Sequence, residues 1–133
     1  MGVDEPVALD LLADAVIEAG DFVMVRTGRL EQTAYGSGAY FRDHPQLSWE
    51  LFDHLLKCGV SFIGVDAAGV RRDAEHGIAD ERAEQAGCYI IENIANLDAL
   101  VEAAAGKPFR VHTGWTGLQG FSGLSCRVVA ELA

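Results

Sequence analysis

Three short runs, residues 22–27, 60–65 and 88–91, are almost wholly apolar and rich in Val, Ile and Phe, and stretches with helical spacing separate them. Runs of that length suit strands covered on both faces, which alternate poorly because neither side meets water. Strands separated by helices are joined by crossovers and so lie parallel. The pattern therefore predicts an α/β chain: a mixed, mainly parallel sheet with packed helices. Its 133 residues fit one domain, 1–133, around one core.

The helical stretches can be placed. Over 7–19, Val7, Leu11, Leu12, Ala15, Val16 and Ala19 recur near helical spacing with Asp10, Asp14 and Glu18 opposite, and Gly20 follows as a stop. Residues 28–45 show no period and read as an ordered loop. Ser48 caps a helix over 49–58 whose apolar positions Leu51, Phe52, Leu55, Leu56 and Cys58 face one way before Gly59. Residues 67–76 read as a loop and 80–86 as a short helix. A helix near 97–105 precedes strands at 109–113 and 126–132, with a glycine-rich loop between them.

Twenty acidic against ten basic residues give a formal charge of −10. That charge repels a phosphate backbone and an anionic membrane, so nucleic acid and membrane are not expected partners. No apolar run approaches the ~20 residues of a bilayer span and no signal peptide is visible, which predicts a cytoplasmic protein. Cys58, Cys88 and Cys126 are widely spaced and odd in number, as reduced, mostly buried thiols would be.

Ligands of open α/β sheets gather beyond the carboxyl ends of strands. The polar residues there are Arg26-Thr27, Asp66, Glu92-Asn93 and His112-Thr113. Asp66 and Glu92 directly end their strands and reach one sheet edge, although each could instead cap the next segment; for Asp66 an Asx-type turn onto the amides two or three residues on is the expectation. His76 and Asp80 are one helical turn apart, and with Glu92 they form a His/Asp/Glu set of the kind that binds a divalent cation. Asp80 would equally serve as a helix cap. His54 reads as structural, and His44 before Pro45 as extended backbone. No G-x-S-x-G, Walker or G-x-G-x-x-G motif is present.

Residues 21–28 (DFVMVRTG), 44–48 (HPQLS), 63–66 (IGVD), 90–94 (IIENI) and 96–98 (NLD), with the closing 120–130 (GFSGLSCRVVA), resemble the cyclase family of metal-dependent hydrolases, which includes bacterial kynurenine formamidase. The resemblance spans about residues 8–132. It implies a swivelling β/β/α fold and a dimer or tetramer. It also implies hydrolysis of an amide such as N-formylkynurenine, as in tryptophan catabolism, with zinc or manganese as cofactor. By position Glu92 resembles the glutamate ligand; Asp80 stands where many members have a histidine, with His76 one turn earlier as a substitute. The family's H-x-G-T-H-x-D-x-P-x-H signature has no counterpart, so the chain resembles the C-terminal part of such a subunit, with no catalytic residue of its own identified. The remaining site would then come from a homo-oligomer or a separately encoded N-terminal partner. The alternative is a non-catalytic binding or assembly subunit that keeps the scaffold.

Overall fold

A computed structural model describes residues 5–12 and 14–133. The chain divides into two compact units, Met1–Ala95 and Asn96–Ala133. The first is built on a parallel sheet of β1 (Phe22–Val25), β2 (Phe62–Val65) and β3 (Tyr89–Ile91) in the order β1-β2-β3. Val25 pairs with Val65, and Gly64 with Ile91, so the three strands end together at one carboxyl edge. β2 is central and mostly buried, as its apolar run requires. β1, whose sequence reads as a central strand, lies at an edge and is only partly buried.

Helix α3 (Trp49–Cys58) forms as expected. Ser48 accepts from the Leu51 amide at 3.1 Å, Gly59 closes the helix at φ 76°, and Leu51, Phe52 and Leu55 are buried. These three join Val25, Ile63, Val65, Val70 and Cys88 in the core. Full burial of a Leu or Phe contributes about 1.5–3 kcal/mol, so this face of α3 is a principal source of cohesion.

Three local expectations are corrected. The helix over 7–19 reduces to a 3-10 turn at Leu9–Leu12, with Ala13 outside the described residues. Val7 instead forms a parallel bridge with Leu47, its amide donating to Gln46 and its carbonyl accepting from Ser48, both at 2.8 Å. Val16 is 87% exposed, so the expected stripe is not buried as one helical face. The 28–45 loop contains two short helices, α1 (Arg29–Gln32) and α2 (Gly38–Arg42), the second capped by Ser37. Helix α4 runs Ala74–Gln85 and begins six residues before the expected 80. It buries only Ala79 and Ala83, so no bulky periodic stripe marks it in the sequence.

The second unit holds α5 (Leu97–Ala104), β4 (Phe109–Trp115) and β5 (Cys126–Leu132). The two strands pair antiparallel, Phe109 with Leu132 through Trp115 with Cys126. Among the described residues they form their own two-stranded ladder rather than extending the parallel sheet. The α/β class holds, with two sheets in place of one.

Candidate metal centre

His76 and Asp80 are one turn apart on α4, and Glu92 leaves the end of β3. His76 Nε2 lies 3.4 Å from Asp80 Oδ2 and 3.4 Å from Glu92 Oε1. One donor atom from each of the three lies within 4.8 Å of the others. The longer α4 is what makes this possible, because both α4 residues then share one helix face. Asp80 is therefore inside the helix, and its reading as a cap is overturned.

Burial pushes the Glu92 carboxyl up to about 7, opposed by His76 and reinforced by Asp80. Asp80 is also raised, by burial, with His76 opposing. Two carboxylates therefore share one imidazole, and a further positive charge would relieve both. Donors placed about 2.0–2.2 Å from a tetrahedral zinc lie about 3.4 Å apart, which is the spacing His76 keeps to each carboxylate. Three protein donors are fewer than the four of a closed structural zinc site.

The elements behind the triad explain its placement. Arg71 and Arg82 stack on the Trp49 ring at 4.8 and 4.7 Å, Arg71 pairs with Glu75, and Arg82 pairs with Asp53 of α3. Charge and aromatic contacts thus fasten α4 where apolar burial is small. Gly69 stands at φ 145°, and a Cβ there would come 2.6 Å from His76 Nδ1, so only glycine leaves the imidazole its space.

Asp66 takes a different part from the expected Asx-type turn. Fully buried, it accepts from the Thr27 amide, the Thr27 hydroxyl and the Gly28 amide, each at 2.7 Å. The parallel register puts the ends of β1 and β2 side by side, and Asp66 fastens the turn that leaves β1. His44 is buried and its Nδ1 donates to the Pro45 carbonyl at 2.8 Å, while burial lowers its pKa. His54 is exposed, 3.5 Å from Cys58 Sγ, and takes no part in the core. Cys88 is buried and its thiol is pushed up to about 11 by burial, which leaves it protonated and inert.

Tyr40, Gly69 and Trp49 were not singled out by the sequence as site residues, whereas Asn93 was named beside Glu92 at the strand end. Gly69 lies in the loop before His76, so adjacency was the available signal.

The model of the putative cyclase family matches residues 7–72. That stretch, just under half of the chain, is similar to the cyclase family. Two solved structures share the fold of this chain. A potential metal-dependent hydrolase with cyclase activity is 21% identical with a TM-score of 0.69, covering 92% of this chain and 56% of its own. A predicted metal-dependent hydrolase from Bacillus stearothermophilus is 20% identical with a TM-score of 0.67, covering 94% and 56%. The chain thus spans little more than half the length of either. No curated protein matches it. Among the described residues, no helix is long and apolar enough to cross a membrane.

Proposed function

We propose that this chain carries part of the active site of a metal-dependent hydrolase acting on the carbon–nitrogen bond of an amide such as N-formylkynurenine. The observation that supports it is the convergence of His76, Asp80 and Glu92 around one point from two separate elements. Fold likeness to proteins described as metal-dependent hydrolases points the same way. His76 supplies an imidazole nitrogen, and Glu92 and Asp80 supply oxygens, a mixed donor set that suits zinc or manganese. When bound, a divalent cation polarises an amide carbonyl and brings water toward ionisation at neutral pH. The residues of this chain hold the charge: two carboxylates balance the cation, and the partly buried position of Glu92 keeps competing solvent low. The remaining ligands and the proton-transfer group would come from a second copy or from a separately encoded N-terminal partner.

Incubation of the purified protein with zinc or manganese and N-formylkynurenine tests this. Turnover is expected, and Glu92→Ala is expected to abolish it. Metal uptake without turnover, under either metal, would exclude catalysis by this chain alone and leave a separately encoded partner or a non-catalytic binding or assembly subunit.

A further inference from the structure

Tyr40 is the largest of the fully buried side chains. A buried phenol needs a partner for its hydroxyl, and this one donates to Asn93 Oδ1 at 2.6 Å. Asn93 directly follows Glu92 and stands at φ 58°, a left-handed conformation that side-chain-bearing residues avoid and that Asn tolerates best. Around this turn the Asn93 amide donates to the Ala67 carbonyl and the Ile94 amide to the Val65 carbonyl, both at 3.0 Å. The chain therefore stays fastened to the end of β2 while it reverses its local twist just past Glu92. Tyr40 is itself held, by edge-on contacts with Tyr35 and Phe41 and by the Ser37 cap on its amide. Its hydroxyl is pushed up to about 12, first by burial and then by Tyr35, Asp66 and Glu92, with Arg29 opposing.

We propose that Tyr40 is a positioning residue: its hydroxyl locks the left-handed turn at Asn93 and so fixes the Glu92 carboxylate against His76 and Asp80. The link to cation affinity rests on the metal-site reading above, whereas the turn lock itself does not. A tyrosine that only filled the core would tolerate loss of its oxygen without consequence at Glu92.

Tyr40→Phe removes that oxygen alone, and Asn93→Gly keeps the positive φ while removing the acceptor. Zinc titrations of the wild type, both single variants and the double variant give the first readout. Amide hydrogen exchange at Asn93 and Ile94 in the cation-free protein gives the second. Each single variant is expected to bind zinc about tenfold more weakly, as losses of ligand-supporting hydrogen bonds do. The double variant is expected to be no weaker than either single, because both cut one path. Exchange at Asn93 and Ile94 is expected to be severalfold faster in both singles. Wild-type zinc affinity and wild-type exchange in Tyr40→Phe would overturn the proposal. Should the wild type take up no zinc, the metal-site reading falls, while exchange still decides the turn lock: faster upholds it and unchanged overturns it. Should Tyr40→Phe fail to fold, Asn93→Gly decides by the same two readouts.

Discussion

Asp66 and Glu92 leave neighbouring strands at the same sheet edge, yet their surroundings separate them. Three short donor contacts satisfy Asp66, so its burial is compensated within the fold. Asp66→Ala leaves those donors without an acceptor and is expected to cost about 3–5 kcal/mol, read as a lower denaturation midpoint. Glu92 is raised from 4.5 to about 7 by burial, with His76 and Asp80 the ionisable groups that face it. A carboxyl whose folded pKa lies above its unfolded value binds its proton more tightly in the native state. Its contribution to stability is therefore full below about pH 4.5 and lost as pH rises through about 7. The cation-free protein is expected to lose stability across that window, and Glu92→Gln to remove that part of the slope, melting a few degrees higher at pH 8. Melting curves at pH 5 and pH 8 check both; a Glu92→Gln variant that melts below the wild type at pH 8 would contradict the account of its burial.

At the scale of elements, the helix that carries two of the three candidate ligands was the least legible. The spacing of His76 and Asp80 and a short helix over 80–86 could be read from the sequence, but the start at Ala74 could not, because alanines fill the buried positions and Gly77 lies within the helix. Helix α3 was legible for the opposite reason: Leu51, Phe52 and Leu55 mark its face and Ser48 and Gly59 its ends. The strands were legible because their composition suits burial. Residues 7–19 misled because Val7 pairs across to Leu47, a contact between distant parts of the chain that helical periodicity cannot express. Asp66 misled for a related reason, since its donors lie 38 and 39 residues away. The loop before α4 has its own test. Gly69→Ala puts a methyl group against the His76 ring and strains a positive φ, so it is expected to weaken zinc binding about tenfold or more while far-UV circular dichroism stays native. Unchanged zinc affinity would show that His76 does not need the position it holds.

For the whole molecule, the fold brings one imidazole and two carboxylates together on little more than half the length of the solved structures it resembles. A parallel three-stranded sheet supplies the edge, α4 supplies His76 and Asp80, and β3 delivers Glu92. The central claim is that these three side chains hold one divalent cation. Calorimetric titration of the cation-free protein with zinc near pH 8, where Glu92 is ionised, tests it most directly. The account predicts one zinc per chain, with at least a tenfold loss of affinity in His76→Ala and in Glu92→Gln. Zinc uptake that is unchanged in both variants, or no uptake by the wild type, would contradict it.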